Sequence, residues 1–468
     1  MKSFNKIEFY LSAPKVFLFF AISWGVLMVF LTPALMVPDE PNHFYRAYQV
    51  SELNFIPEVD NNRLGGTLPK SLFDLQLKIW ETNGINPKID KNLFNEWLSI
   101  SLKPKEKTYI FFPNTSLYSP VSYIPQSIGI SIGRIFDAPP LVLVYLGRIF
   151  NLAFWISIIY FSLKITPIYK WLFLLLALLP MSISQSASLS ADVMVNGLSF
   201  LLISIIFNLA FNLKAILEKK ELFFLVIIAI LLTLSKSIYF FLILLYFLIP
   251  FSKTKSTKNY FIQAAVLTIS TFITLIISSL IINYLTNQIN PIEAIYGDNP
   301  AIPKINPIKQ MEFVLNDIWG FIVMVLSSFY LLHEMVLKSY IGILGWMNVL
   351  LNSYYYYFVP FVLTAIAILE TKKEITFTLS QKLLMFITFV GIVFIFSFTM
   401  YLSWAEVGSE MIGNLQGRYF LPIAPLLFSL YYNNKITVKP TVTPVISIIC
   451  ILISIVVTVQ AITEFYYF

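Results

Sequence analysis

Long apolar blocks alternate with short polar connections along the whole chain. Such blocks are typical of membrane-spanning helices, because about 20 residues cover the ~30 Å hydrocarbon core of a bilayer. The pattern predicts an all-α polytopic membrane protein that forms one integral membrane domain over residues 1–468. The eleven predicted spans are about 16–36, 140–163, 171–187, 193–213, 222–235, 237–252, 259–283, 354–370, 380–402, 418–433 and 444–463.

Lysines concentrate in the short connections, which indicates their side of the membrane. Lys and Arg are enriched in cytoplasmic loops, and eleven spans with the N-terminus inside put all these clusters in the cytoplasm. The C-terminus then lies outside. The clusters are Lys2, Lys6 and Lys15; Lys164 and Lys170; Lys214, Lys219 and Lys220; Lys253, Lys255 and Lys258; Lys372 and Lys373; and Lys435 and Lys439.

Two apolar segments are ambiguous. Segment 119–136 is interrupted by Pro120 and Pro125, and if it crossed the bilayer every later lysine cluster would move outside. We therefore predict that it is re-entrant or lies along the outer interface. By the same parity argument, segment 316–352 contains two spans or none, so the total is about 11–13.

This topology predicts two large external regions. The first, residues 36–118, is polar and rich in turn-forming residues, which predicts juxtamembrane short helices joined by turns. The second, residues 284–315, contains the Pro- and Asn-rich sequence NPIEAIYGDNPAIPKINP.

Composition supports a membrane protein and excludes several other classes. The chain is 57% hydrophobic and only 12% charged, about half the charged fraction of soluble domains. The net charge of +7 follows from the cytoplasmic lysines, so we expect no nucleic-acid partner. A single Cys and two His residues exclude an internal disulfide, a cysteine zinc site and a multi-histidine metal centre.

The first predicted span ends in the sequence PDEPNHFYRA, which is unusually rich in ionisable residues. Asp39 and Glu40 lie between two prolines, which restrict the backbone on both sides. His43 and Arg46 follow at a spacing that places them on one face of a short helix. A solvated helix end remains the alternative interpretation.

Further ionisable residues are predicted at the same external face. Such groups are costly at this depth and usually line a cavity, although unrelated loop charges could produce part of the pattern. They are Asp192 in SQSASLSADV, Lys236 in LTLSKSIYFF, and Glu406, Glu410 and Arg418 in SWAEVGSEMIGNLQGRYFLP.

Acids and cations at a membrane surface suit sugar transfer from a polyprenyl-phosphate carrier. The acceptor hydroxyl needs a carboxylate base, for which Asp39 is the candidate, with Glu40 as its partner, a ligand or an orienting group. His43 is either an orienting partner or the base itself. The departing phosphate needs cations, and the candidates are Arg46, Lys236 and Arg418. The other candidate substrate-binding residues are Asp192 and Glu406.

Three motifs carry a family resemblance: PDEPNHFYRA, SADV at residues 190–193 and GRYFLP at residues 417–422. They resemble a bacterial family of predicted multi-span membrane proteins of undefined function, which in turn resembles the C-type (GT-C fold) glycosyltransferases. That resemblance implies a polyprenyl-phosphate or pyrophosphate sugar donor. It also implies that Asp39 acts as base or metal ligand, with Asp192 as the second acid and Lys236 as the lysine between two short spans.

These observations together predict an inverting glycosyltransferase of the cell (plasma/inner) membrane with its active site outside. Its expected partners are a polyprenyl-phosphate-linked sugar, a cell-envelope acceptor and the bilayer. A divalent cation (Mg²⁺ or Mn²⁺), held by Asp39, Glu40 and Asp192, is left open. The alternatives are a polysaccharide polymerase or ligase that uses a lipid-linked glycan, and a lipid-linked sugar transporter or flippase.

Overall fold

The computed structural model describes residues 12–83, 88–89, 91–286 and 305–468. Most of the predicted second external region lies outside these residues. Long helices dominate, which confirms the all-α polytopic fold. Six described helices are long and apolar enough to cross a membrane: α1 (Ala13–Leu31), α7 (Pro140–Ile165), α10 (Asp192–Phe211), α12 (Thr257–Thr286), α17 (Leu379–Trp404) and α19 (Val442–Tyr466).

The other five predicted spans are shorter or broken elements. Among the described residues, length and composition support six spans, or seven if a bent helix pair counts as one, so the predicted number of 11–13 is larger. Prolines account for two of the breaks, because a proline removes a backbone N–H donor and ends or bends a helix. The elements are α8 (Lys170–Ala177) with α9 (Pro180–Ser186), α11 (Lys219–Ser235), the 3₁₀ helix Ser237–Leu248, α16 (Tyr355–Leu369), and the 3₁₀ helix Gly417–Ile423 with α18 (Ala424–Ser429).

Residues 36–118, the predicted first external region, differ from the prediction of short helices alone. It contains a three-stranded antiparallel sheet in the order β1-β2-β3, in which Gly65 of β2 pairs with Glu58 and with Phe111. The sequence RLGGTLP did not predict the central strand, because its two glycines are more typical of turns. The elements are α2 (Glu40–Ser51), β1 (Glu58–Asp60), β2 (Arg63–Pro69), α3 (Lys70–Asn83), α4 (Lys91–Leu98), β3 (Lys107–Phe111) and α5 (Pro113–Ser116).

Segment 119–136 folds into a short 3₁₀ helix, Pro120–Tyr123, and helix α6 (Ile124–Ile135). Helix α6 has 12 residues and is therefore about 18 Å long, which is shorter than the ~30 Å hydrocarbon core. It packs against α7 and α2. Its length agrees with the prediction that this segment does not cross the bilayer.

Segment 316–352 also has an interrupted structure. Helices α13 (Pro307–Asn316) and α14 (Ile318–Leu331) meet at a bend of 107°, and only together are they long and apolar enough for one span. Helix α15 (His333–Ile341) follows. A two-stranded hairpin, β4 (Ile343–Leu344) and β5 (Val349–Leu350), ends the segment.

Helix α7 is central to the packing and contacts α1, α6 and α10. Gly25 of α1 allows a close approach, because a Cβ atom there would lie 2.6 Å from Leu152 of α7. Small residues commonly permit such contacts between membrane helices. Since α7 runs antiparallel to α1, the end of α1 and the first half of α7 lie at the same end of the bundle.

The topology can be tested by cysteine labelling, because the native Cys450 is buried. We expect cysteines introduced at the exposed positions Asn61 and Asp137 to react with an impermeant maleimide added to intact cells. Cysteines at Lys255 and Lys372, also exposed, should react only after the membrane is opened. Labelling of Lys255 in intact cells would contradict the predicted orientation.

Candidate functional site

The connection between α1 and α2 is a buried turn whose backbone oxygens are bound by side chains from distant elements. Residues 32–37 are buried, so their polar backbone groups need partners within the protein. Arg148 of α7 donates from Nη1 to the carbonyl oxygens of Val29 (3.0 Å) and Thr32 (2.6 Å), and from Nη2 to that of Pro33 (2.9 Å). The end of α1 is therefore capped by one guanidinium group.

The same turn receives three further hydrogen bonds. The Trp346 indole donates to the Leu35 carbonyl oxygen at 3.2 Å, and the Tyr466 hydroxyl donates to that of Met36 at 3.3 Å. The hydroxyl of Tyr467 donates to the carbonyl oxygen of Leu31, the last residue of α1, at 2.9 Å. Four side chains from three elements that are distant in sequence, α7, the β4–β5 hairpin and the end of α19, thus fix the backbone that leads into the PDEP motif.

Glu40 forms a fully buried ion pair with Arg148. Arg148 Nε lies 2.8 Å from Glu40 Oε1, and Nη2 lies 2.6 Å from Oε2. The backbone N–H of Leu189 also donates to Oε1 at 3.1 Å. The carboxylate of Glu40, a predicted catalytic residue, thus binds the guanidinium group and the connection before α10.

Asp39 has a different environment from its neighbour. It precedes the first residue of α2 with φ 60° and ψ 4°, in the left-handed region, which is sparsely populated by residues other than glycine and tolerated by Asp. Its carboxylate is half-buried and is 3.4 Å from the Asn114 side-chain amide. The Asp39 carboxylate is therefore free of a strong ion-pair contact in the described part of the chain.

Asp192 and Lys236 form an ion pair next to this turn. Asp192 is the first residue of α10, Lys236 follows the end of α11, and the charged atoms are 3.3 Å apart. Gln185 donates to the other Asp192 oxygen at 3.1 Å and accepts from Asn196 at 3.0 Å. Both ionised side chains are partly accessible, at 17% for Asp192 and 20% for Lys236.

Arg418 and Tyr419 from the GRYFLP motif complete the cluster. The Lys236 ammonium lies 4.2 Å from the centre of the Tyr419 ring, and Arg418 donates to the Tyr419 hydroxyl at 3.2 Å. Gly417 allows this motif to pack closely against α15, because a Cβ atom at position 417 would overlap the Val336 carbonyl oxygen. Lys236, Arg418 and Tyr419 thus form a cationic and aromatic surface.

His43 lies between Asp39 and the group formed by Asp192 and Arg418. Its Nδ1 is 2.8 Å from the Tyr123 hydroxyl. Burial has the largest effect and lowers the pKa of His43; Asp39 and Asp192 oppose this shift, and Arg418 adds to it. We therefore expect a neutral imidazole at pH 7, within electrostatic reach of both carboxylates and of Arg418. The set Asp39, His43, Asp192, Lys236, Arg418 and Tyr419 is called the polar cluster below.

Besides Glu40, two of the predicted site residues lie apart from the polar cluster. Arg46 is buried and donates to the carbonyl oxygens of Phe55 (2.8 Å) and Tyr118 (3.1 Å), so it stabilises the first external region. Burial lowers its pKa to about 10. Glu406 is exposed in the connection after α17, as is Glu410, and no contact among the described residues joins either to the polar cluster.

Several residues at the site were not predicted. Gln185 and Tyr419 occur within the stretches that contain Asp192 and Arg418, but neutral polar residues gave no separate signal. Arg148 is an ionisable residue within an apolar block, which by itself indicates a buried role. Its partner could not be identified, because 108 residues separate it from Glu40.

The residues suggested as metal ligands do not form a ready-made site. Among the described residues, no group of three or more His, Cys, Asp or Glu side chains is placed to hold a metal ion. Glu40 binds Arg148, and Asp192 binds Lys236.

Comparison with known protein families gives one match, which covers residues 22–427. The chain belongs to the family described as "Predicted membrane protein (DUF2142)". Neither the curated proteins nor the solved structures give a match. The match confirms the prediction of a membrane-protein family, and the matched range includes the polar cluster and the Arg148–Glu40 pair.

The role of Glu40 can be tested by unfolding measurements. Glu40→Gln removes the carboxylate and leaves Arg148 as an uncompensated buried charge, so we expect a loss of about 3–5 kcal/mol in unfolding free energy. The measurement is equilibrium unfolding in mixed micelles. Glu106→Gln is the matched control, because its pair with Lys103 is exposed and should be worth at most about 1 kcal/mol. Equal stability of the two variants would contradict a structural role for Glu40.

Proposed function

We propose that this protein is a glycosyltransferase that moves a sugar from a polyprenyl-phosphate-type lipid to a cell-surface acceptor at the outer leaflet. The observation that carries the proposal is the polar cluster itself. In it the charges of Asp39, Asp192 and Arg418 all act on His43, and Lys236 from another element forms an ion pair with Asp192. The resemblance of the three motifs to GT-C glycosyltransferases supports the same reaction.

The proposed reaction is a single displacement with inversion at the anomeric carbon. The acceptor oxygen bonds to that carbon while the bond from the carbon to the phosphate oxygen breaks. The acceptor proton passes to the Asp39 carboxylate, and the electron pair of the broken bond leaves with the lipid phosphate. Lys236 and Arg418 stabilise the negative charge that develops on the phosphate oxygens.

The remaining members of the cluster position these groups. Asp192 and Gln185 hold the Lys236 side chain at one place, and Tyr419 lies under the ammonium group. With His43 neutral, the two carboxylates balance the two cations, so an incoming phosphate experiences no net repulsion. His43 and Tyr123 then supply a fixed polar wall beside Asp39.

An apolar groove next to the cluster supports a lipid-linked substrate. Arg418 and Phe420 belong to the same 3₁₀ helix, and two residues of such a helix advance about 4 Å. Phe420 lines a cavity of about 540 Å³ together with Tyr340 and Leu363. A prenyl chain in this groove would keep its phosphate within reach of Arg418 and Lys236.

The position of the charges favours an enzyme over a transporter. Transporters commonly bind their cargo near the bilayer midplane on interrupted helices. The polar cluster instead lies where α10 begins and α11 ends, at one end of the bundle. A polysaccharide polymerase or ligase would use the same donor chemistry. The length of the product in the sugar-transfer assay distinguishes these enzymes from a transferase that adds one sugar.

The mechanism is tested by Asp39→Asn, which keeps the side-chain shape but removes the proton acceptor. We expect turnover to fall about 10²–10⁴-fold, the usual scale for a positioned base, with little change in the KM for the donor. Sugar transfer from a panel of polyprenyl-phosphate sugars is the measurement. Asp60→Asn, at an exposed position of the first external region, is the control.

Lys236→Ala and Arg418→Ala should behave differently from Asp39→Asn. Each removes positive charge that binds the phosphate in both the ground state and the transition state, so the donor KM should rise while turnover falls. Wild-type transfer by Asp39→Asn would contradict the proposed base. An unchanged donor KM in both cation variants would contradict the proposed phosphate site.

The groove is tested by filling it. Thr364 lines the cavity, and Thr364→Trp should exclude part of the prenyl chain and raise the donor KM at least about tenfold, which corresponds to losing the burial of about two methylene groups. A donor with a shortened chain should be affected less. Phe361→Trp, at an exposed position of the same helix, should leave both KM values unchanged. Equal effects on long and short donors would place the chain elsewhere.

A further inference from the structure

A second large cavity lies at the opposite end of the bundle from the polar cluster. Its volume is about 490 Å³, within the range of ~300–1,000 Å³ that ligand pockets commonly have. The lining includes the start of α1, the connection between α7 and α8, and the start of α19. It is therefore separated from the proposed catalytic groups by the length of the membrane-spanning helices.

Lysines dominate the ionisable groups of this cavity. Lys164, Lys170 and Lys372 line it, together with one carboxylate, Glu370. The lining thus carries a net charge of +2, from three ammonium groups and one carboxylate. In the part of the chain that the structure describes, none of the ion pairs within 4 Å involves these lysines.

The single carboxylate, Glu370, accepts hydrogen bonds from the backbone. Both Glu370 oxygens accept from the N–H of Trp171 at 3.0 Å, and Oε2 also accepts from that of Leu172 at 2.9 Å. Glu370 therefore satisfies donors in the first turn of α8, which would otherwise lack partners. Burial raises the pKa of Glu370 to about 7, although these backbone donors oppose the shift, so its carboxylate is only partly ionised at pH 7 and the lysines keep an excess of positive charge.

The lysines are also close enough to repel one another. Burial lowers the pKa of Lys170, Lys372 lowers it further, and Glu370 acts in the opposite direction. Lys164 lies 5.1 Å from the ring of Tyr160, a weaker partner than a carboxylate. A bound anion would relieve the repulsion between Lys170 and Lys372.

We propose that this cavity is a binding site for a phosphate-bearing anion at the cytoplasmic surface. Lysines bind phosphate as point charges, and Pro167, Ile168 and Trp171 provide apolar contacts beside them. The phosphate belongs either to an anionic lipid headgroup of the adjacent leaflet or to a soluble phosphate compound. The site is independent of the proposed sugar transfer, because it uses other residues at the other end of the molecule.

The test uses the full-length protein in neutral detergent micelles. Binding of dioleoylphosphatidylglycerol is measured by native mass spectrometry with zwitterionic dioleoylphosphatidylcholine as the reference of zero net charge. Binding of inorganic pyrophosphate is measured by calorimetry. The cavity variant combines Lys164→Gln, Lys170→Gln and Lys372→Gln. We expect its affinity for the bound anion to fall about fivefold per lysine, the usual contribution of one lysine at an anionic surface.

The control variant loses the same charge outside the cavity. It combines Lys214→Gln, Lys220→Gln and Lys255→Gln, all exposed at the same end of the bundle, and should keep wild-type affinity. The single variant Lys372→Gln, at an exposed position, provides a mild test if the triple cavity variant is unstable. Elution volume and thermal unfolding check the fold of each variant.

The outcomes separate the two sources of phosphate. If the cavity variant loses affinity only for phosphatidylglycerol, the site binds a lipid headgroup. If it loses affinity only for pyrophosphate, the site binds a soluble compound. If the cavity and control variants lose affinity equally, the lysines form only a general basic surface and the proposal is overturned. It is also overturned if the wild-type protein binds neither anion.

Discussion

The buried ion pair between Arg148 and Glu40 is the interaction on which the polar cluster depends. All five N–H donors of the guanidinium group have acceptors: two Glu40 oxygens and three backbone carbonyl oxygens at the end of α1. A buried ion pair is tolerated when its polar groups are satisfied in this way. Because Glu40 also binds the Leu189 N–H, one guanidinium fixes α1, α2 and the connection before α10. Asp39 and Asp192 are adjacent to these anchored positions, so their separation is set by this pair.

Neighbouring acids in the PDEP motif consequently have opposite environments. Glu40 begins α2 and is enclosed by Arg148 and Leu189, whereas Asp39 precedes the helix with φ 60° and is half-buried beside Asn114. The change in backbone direction at Asp39 separates the two carboxylates, although they are consecutive in sequence. A structural acid thereby holds in place an acid that remains available for chemistry.

The distribution of polar groups follows the length of the spanning helices. The polar cluster lies at one end of the bundle and the lysine-lined cavity at the other, while apolar side chains fill the space between them. Short and interrupted elements supply most of the polar side chains, because their ends bring unpaired backbone groups and ionisable residues into the protein. The long helices α1, α7 and α10 pack against these shorter elements and fix their positions.

The sequence by itself determined the membrane class, the all-α fold and the positions of the long helices, because apolar block length is a local property of the chain. It also indicated Asp39, His43, Asp192, Lys236 and Arg418, which the structure brings into one cluster. Only the tertiary structure decided that Glu40 and Arg46 bind inside the protein, since the partners of Glu40 lie 108 and 149 residues away and those of Arg46 include backbone carbonyl oxygens. Nor could apolar composition distinguish a spanning helix from broken elements such as α8 and α9, because the interruption depends on packing and proline geometry rather than on hydrophobicity.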